Sequence, residues 1–393
     1  MTTPHRPRPA RLGRLPEQYF TNILAEAARA RAQDGEPFID LGRGNPDVPP
    51  PDHAIGALRE AALHTATPFV HGYPPFQGHP ELREAIVARY RADHGVELDP
   101  EREVAVLPGT KTGIMLACVA TAERGDTVLL PDPGYPDYLS GAALAGASVV
   151  PLALEATAGF QPDFDAARPV TPSPALAVLN YPSNPCAACE QPGTFEAAVA
   201  FAHERGAWLL HDLAYGFLTF DGARSRSILE VDGARELALE LWSPSKIYGM
   251  AGWRIGFAVG APELVARIQL LIDHVTAGVW TGMQRGLTAA LNSDQSDVAE
   301  RREIYQRRRD LLVGALREAG ADVAPPQGSF FVWWRLPPGL TAERLTARAR
   351  VGVAPGEGFG ARGAGWARLS LAVPDEDLAE AARRLAHAVA QSS

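Results

Sequence analysis

Cysteine is scarce in this chain: Cys118, Cys186 and Cys189 are the only three among 393 residues. That is too few for a disulfide scaffold. Basic charge is also in deficit, with 37 Lys and Arg against 46 Asp and Glu, a net charge of −9. A duplex-DNA binder needs a basic face, so nucleic acid is not an expected partner. A local site can still take an anion against the global sign. No apolar run reaches the length of a membrane span, so no membrane partner is expected. The arm from Thr3 to Arg14 carries arginine and proline but lacks the apolar stretch of a signal peptide. No internal repeat or low-complexity tract is visible. Together these absences give cytoplasm as the default compartment.

The apolar fraction of 46% is that of a globular protein. The length fits two domains sharing a long core. Strands alternate with helices between Val104 and Val259, which indicates a mainly parallel sheet covered on both faces. Apolar runs at Val104–Leu107, Thr127–Leu130, Val149–Leu152, Ala175–Leu179, Ala207–His211, Leu237–Trp242 and Ile255–Val259 read as strands. Helical spacing marks Leu15–Ala32, His79–Arg91, Ile114–Ala122, Thr194–Arg205, Ala261–Asp273 and Gly282–Asn292. Val298–Gly320, rich in Arg and Glu, reads as a long bridging helix with a polar face. From about Ala321 the pattern changes to short strands and helices.

The stretch Ser243-Pro244-Ser245-Lys246 through Gly252-Trp253-Arg254-Ile255-Gly256 carries the strongest chemical signal. It joins two apolar strands. A lysine between core strands is badly placed as a solvated charge and well placed to form an imine beside an anion site. Arg254 can supply a guanidinium fork for a phosphate. Upstream, the strand Val104–Leu107, the turn at Gly109-Thr110 and the following helix form an arrangement that binds phosphate on free helix N–H groups.

The Ser-x-Ser-Lys then Gly-x-x-Gly-x-Arg-x-Gly run resembles the cofactor-lysine signature of class I/II aminotransferases, pyridoxal-phosphate enzymes of fold type I. The resemblance extends from about Leu15 to the C-terminus. It implies an α/β fold: a large domain with a mainly parallel, seven-stranded-type sheet under helices, and a smaller α+β domain built from both chain ends. The expected division is a mobile arm at 1–14, the N-terminal part of the small domain at 15–47, the large domain at 48–292, and the C-terminal small domain with its bridging helix at 293–393.

The same resemblance implies residue roles. Lys246 carries pyridoxal 5'-phosphate as an imine and later moves a proton as general base and acid. Asp212 keeps the pyridine nitrogen protonated, so that the ring acts as an electron sink. Tyr215 and Asn184, in Asn180-Tyr181-Pro182-Ser183-Asn184-Pro185, bond the phenolate oxygen, while Asn180 pins the loop. Tyr135 stacks on the ring. Gly109, Thr110, Lys111, Ser243, Ser245 and Arg254 hold the phosphate. Tyr73 reaches it from a neighbouring subunit, which implies a homodimer. Gly44 brings backbone close to the substrate carboxylate, and Arg368, in Trp366-Ala367-Arg368-Leu369-Ser370-Leu371, clamps that carboxylate. Arg43 is either a surface charge or a residue reaching the pocket, where it or Lys111 could serve a distal carboxylate, and the surface is the preferred reading; Tyr138 and His211 are read as packed core residues. The segment Thr276–Thr281 is expected near the substrate side chain or the dimer seam.

Cys186-Ala187-Ala188-Cys189 is a Cys-x-x-Cys pair, a pattern used in redox centres and zinc sites. A four-thiolate site is impossible with one further cysteine, so packing is the preferred reading and no metal is expected. The implied reaction moves an amino group between an L-amino acid and a 2-oxo acid. The alternative on the same fold is a carbon–sulfur lyase or another enzyme cleaving a Cα or Cβ bond. A non-catalytic regulator would usually carry an added DNA-binding domain, and little sequence precedes the expected fold. The Leu-Pro then Tyr19-Phe20 opening resembles the diaminopimelate, alanine and aromatic or methionine transaminases.

Overall fold

The computed structural model describes residues 9–32, 37–66 and 70–391. The first eight residues of the expected arm lie outside these. Strands run β1 Ile39–Asp40, β2 Val104–Leu107, β3 Thr127–Asp132, β4 Ser148–Ala153, β5 Leu176–Leu179 and β6 Trp208–Leu213. They continue with β7 Ala238–Trp242, β8 Gly256–Gly260, β9 Phe331–Arg335, β10 Val351–Gly352, β11 Ala354–Pro355 and β12 Trp366–Ser370.

Seven strands make one sheet in the order β2-β8-β7-β6-β5-β3-β4. Only β8 runs against its neighbours; the other pairs are parallel. Every residue of β2, β5, β7 and β8 is buried. That explains why they read as unbroken apolar runs, since both faces of a parallel sheet are covered. Leu129, Leu179 and Leu209 pack on one face, and Leu130, Val178 and Leu210 on the other.

A smaller antiparallel sheet, β11-β12-β9, stands beside β1, which pairs with β10. The N-terminal and C-terminal parts of the chain therefore meet in one core, where Leu41, Tyr305, Phe330, Trp334 and Leu369 pack together.

Three local findings differ from the sequence reading. The helix after β2 begins at Thr110, with Gly109 at its N-cap, rather than at Ile114. Its first turn, Thr110-Lys111-Thr112, is polar because it faces a cavity rather than the core, so it shows no apolar periodicity. Lys246 sits on a one-turn helix, Pro244–Ile247, capped by the Ser243 side chain, rather than in an irregular turn. The bridging helix, Ser296–Glu318, has charged residues that do not all face water. Arg301 donates to the Val48 and Pro49 carbonyls at 2.8 and 2.7 Å, and Arg308 pairs with Asp47 at 2.9 Å. Both fasten the loop that follows Gly44.

Candidate active site

The carboxyl ends of β2, β3, β5, β6 and β7 open into one cavity of about 290 Å³. In open α/β sheets this end of the strands is where ligands bind. Each strand delivers its polar residue immediately after its apolar run: Thr110, Tyr135, Asn180 with Asn184, Asp212, and Ser243 with Ser245. Lys246, Arg254 and Arg368 also line the cavity.

Asp212 is buried near the end of β6. Tyr138 donates its hydroxyl proton to one carboxylate oxygen at 2.7 Å. The other oxygen, Oδ1, is buried without a partner. Burial raises the Asp212 pKa; the Tyr138 bond and the neighbouring His211 charge pull against it. A buried carboxylate with one bare oxygen fits a cationic N–H group.

On one side of Asp212 is an anion cradle. The helix that begins at Thr110 presents its free N–H groups there. Gly109 has φ +90°, and a Cβ built on it would lie 2.4 Å from an Arg254 guanidinium nitrogen. Glycine is thus what lets Arg254 close over the helix end. Arg254 donates to the Ala251 carbonyl at 2.9 Å, and no carboxylate pairs with it among the described residues. Lys111 lines the same wall, but its ammonium is 2.9 Å from the buried carboxylate of Asp137. Of the residues expected at a phosphate, it alone has its charge already matched by a carboxylate.

Lys246 Nζ donates to the Gly44 carbonyl at 3.1 Å. Burial, followed by the charges of Arg368 and Arg254, lowers its pKa to about 8, while Asp212 pulls the other way. The whole sequence contains two lysines, Lys111 and Lys246. Only Lys246 has an amine that is free of a carboxylate and depressed toward neutrality.

Arg368 is 1% exposed. Its Nη1 donates to Asn184 Oδ1 at 2.8 Å and its Nη2 to the Gly42 carbonyl at 2.9 Å, while Nε is buried and unpartnered. Phe331 lies 4.0 Å beneath the guanidinium and Phe359 4.7 Å from it. Burial lowers its pKa to about 10. No carboxylate of the described residues reaches it. A buried guanidinium in this condition favours an incoming carboxylate. Asn184 spends its oxygen on Arg368, so its amide N–H groups remain available as donors. Asn180 pins that loop, bonding the Asp212 carbonyl and the Asn184 N–H, each at 2.7 Å. Tyr215, buried beside Phe330 and Phe331, lines the cavity with Asn184.

Sequence reasoning missed two features. Tyr138 is a core residue as expected, yet its hydroxyl serves Asp212. His211 is fully buried, with Nδ1 2.6 Å from Glu240 and Nε2 3.1 Å from the Tyr181 carbonyl. Both ring nitrogens face acceptor oxygens. Tyr90, Ser227 and the Ile228 N–H complete four donors around the Glu240 carboxylate. Burial alone would raise Glu240, but His211 and Tyr90 outweigh it and hold it low. A lone glutamate inside the β7 run was the only sequence signal for this network.

Other expected residues lie elsewhere. Tyr73 is 85% exposed and outside the cavity wall. The segment Thr276–Thr281 packs beside it, with Trp280 Nε1 donating to the Val70 carbonyl at 2.9 Å. Arg43, expected as a surface charge, is exposed but lines the cavity. All three cysteines are free. Burial raises the Cys118 and Cys189 thiols to about 12 and pushes Cys186 higher still. Such thiols are poor nucleophiles. No cluster of three metal-ligating side chains occurs among the described residues.

The bare oxygen of Asp212, the Gly109 cradle and the unpaired Arg254 and Lys246 fit pyridoxal 5'-phosphate: an acid for its ring nitrogen, donors for its phosphate and an amine for its aldehyde. Comparison with known proteins identifies the relatives of this chain. The family model for aminotransferase class I and II matches residues 36–385. The L-glutamine–4-(methylsulfanyl)-2-oxobutanoate aminotransferase of Bacillus subtilis (strain 168) is 41% identical over 379 residues, 95% of this chain and 94% of that protein. The LL-diaminopimelate aminotransferase of Desulforudis audaxviator is also 41% identical, over 95% of this chain and 96% of its own. The substrate-bound structure of BacF from Bacillus subtilis superposes with a TM-score of 0.90 at 36% identity, covering 98% of each chain.

Proposed function

This chain belongs to the class I and II aminotransferases and is a transaminase, and on that premise we propose how its residues do the work. Lys246 carries pyridoxal 5'-phosphate. The cofactor supplies an aldehyde that takes the amino group and a ring that accepts electron density from the substrate. Gly109, Thr110, Ser243, Ser245 and Arg254 hold the phosphate, with Lys111 at the edge of that set. Asp212 holds a proton on the ring nitrogen, Tyr135 covers the ring, and Asn184 and Tyr215 bond its phenolate oxygen.

Arg368 orients the α-carboxylate of an L-amino acid, beside Asn184 and the Gly44 backbone. The Lys246 amine, near neutrality by virtue of its burial, takes the Cα proton and returns it. The observation that carries this reading is the pairing of a buried, carboxylate-free Arg368 with the depressed amine of Lys246 across the Gly42–Gly44 loop. The two carbonyls that flank Arg43 hold them at 2.9 and 3.1 Å. A panel of L-amino donors with 2-oxo acid acceptors tests it. New amino acid should form from several donors, and Lys246→Ala should form none. Release of ammonia and no new amino acid from every pair would contradict it.

The exposed Tyr73, lying outside its own cavity, supports a homodimer in which this tyrosine completes the second copy's phosphate site. A fully active monomer by light scattering would remove that part of the proposal. We place the enzyme in the cytoplasm because its three cysteines are free thiols. No described helix is long and apolar enough to cross a membrane. Fractionation that found the protein outside the cytoplasm would overturn the placement.

A further inference from the structure

The loop of residues 359–362, between β11 and β12, is tied to the ends of β3 and β4 by contacts that none of the roles above uses. The Gly134 N–H donates to the Phe359 carbonyl at 2.8 Å. The Asp132 carboxylate, at the last residue of β3, accepts from the Arg362 N–H at 3.1 Å. The Arg362 guanidinium pairs with Glu155, just past β4, at 3.0 Å. Gly360 has φ +130°, and a Cβ on it would run into Asp132 Oδ1. Glycine there is what lets the carboxylate pass over the loop to the Arg362 N–H.

The loop carries Phe359, whose buried ring lies 4.7 Å from the Arg368 guanidinium. Trp333 meets that ring edge-on from behind, at 5.7 Å between centroids. Phe359 thus helps to keep the guanidinium dry and in one orientation. Ring packing alone is not directional, whereas hydrogen bonds to the loop backbone are. Neither Asp132 nor Phe359 lines the cavity, so Asp132 can act on a ligand only through the loop.

We propose that Asp132 is a positioning residue for substrate binding: by accepting the Arg362 N–H it fixes the 359–362 loop and holds Phe359 against Arg368. The backbone of Arg362 is the part that matters. Its guanidinium and Glu155 are both exposed, and exposed pairs contribute little. The Gly134 bond to Phe359 is made by backbone alone and survives any change at Asp132, so Tyr135, the next residue, stays in place. The inference rests on the reading of Arg368 as the group that takes the substrate α-carboxylate.

The test is calorimetry of valerate, a simple carboxylate probe, on the holoprotein, beside steady-state kinetics. Wild type should bind valerate. Asp132→Ala should weaken valerate and raise the substrate KM, each by about fivefold or more, with kcat and cofactor absorbance unchanged. Asp132→Asn keeps an oxygen acceptor at the same place and should restore both values. Gly360→Ala pushes the loop away from the other side and should reproduce the Asp132→Ala pattern. Arg362→Ala keeps the backbone N–H and should leave both values within about twofold. Normal valerate affinity and KM in Asp132→Ala would overturn the proposal. Loss of cofactor and of thermal stability without rescue by Asp132→Asn would mean general damage to the fold, and would also overturn it. Failure of the Arg368 reading would look different: wild type itself would not bind valerate.

Discussion

Tyr138 donates a 2.7 Å hydrogen bond to Asp212 and leaves the second carboxylate oxygen buried and bare. The tyrosine satisfies one oxygen and leaves the other for an incoming donor. A hydrogen bond to a charged group is worth about 1.5–3 kcal/mol. Tyr138→Phe should therefore lower kcat by about tenfold or more, because Asp212 then holds the ring-nitrogen proton less well. Steady-state kinetics beside a thermal melt checks this. Unchanged kcat would mean that the bond only packs the core.

The Lys246 amine titrates at about 8. Burial disfavours its charged form, so the neutral nucleophile dominates above that pH and the ammonium below it. The rate at which apoprotein captures the cofactor should rise with pH and level off above about 8. An exposed lysine would keep the rate rising toward pH 10. Stopped-flow absorbance across pH 6–10 reads the inflection.

Much of this arrangement was legible in the sequence. Strands buried on both faces announce themselves as apolar runs, and the polar residues after them fall at the strand ends whatever the details of packing. What was illegible depends on partners distant in sequence. The partner of Tyr138 lies 74 residues away, so its hydroxyl could not be separated from that of any core tyrosine. His211 looked like packing because Glu240 faces it from the next strand. Arg43 looked like a surface charge because its place is set by the bonds its neighbours make to Arg368 and Lys246. The polar first turn at Thr110 hid a helix start because a turn that faces a cavity has no apolar stripe.

Gly44 has no room for a side chain: a Cβ there would stand 2.6 Å from Phe331 Cζ. Phe331 in turn supports Arg368. Forcing extra volume into a packed site costs about 1–3 kcal/mol. Gly44→Ala should push Phe331 against Arg368 and raise the substrate KM by about tenfold, with cofactor loading intact. Loss of cofactor with normal KM would contradict the assignment.

Glu240→Gln keeps the shape of the buried network but places an amide N–H₂ group among four donors. Leaving a buried donor without its acceptor costs about 1–3 kcal/mol. Chemical denaturation should show a loss of that order at neutral pH. The folded-state pKa of Glu240 lies below its unfolded value. Its contribution is thus fully present above the unfolded carboxylate range and is lost as pH falls through the folded value. The gap between wild type and variant should narrow in acid. A gap that stayed constant with pH would assign the loss to packing alone.

The central claim concerns which of two lysines carries the cofactor, and borohydride reduction of the loaded protein followed by peptide mass spectrometry decides it. The pyridoxyl mass should appear on the peptide containing Lys246 and be absent from Lys246→Ala. The same mass on Lys111, or on neither lysine, would contradict the account.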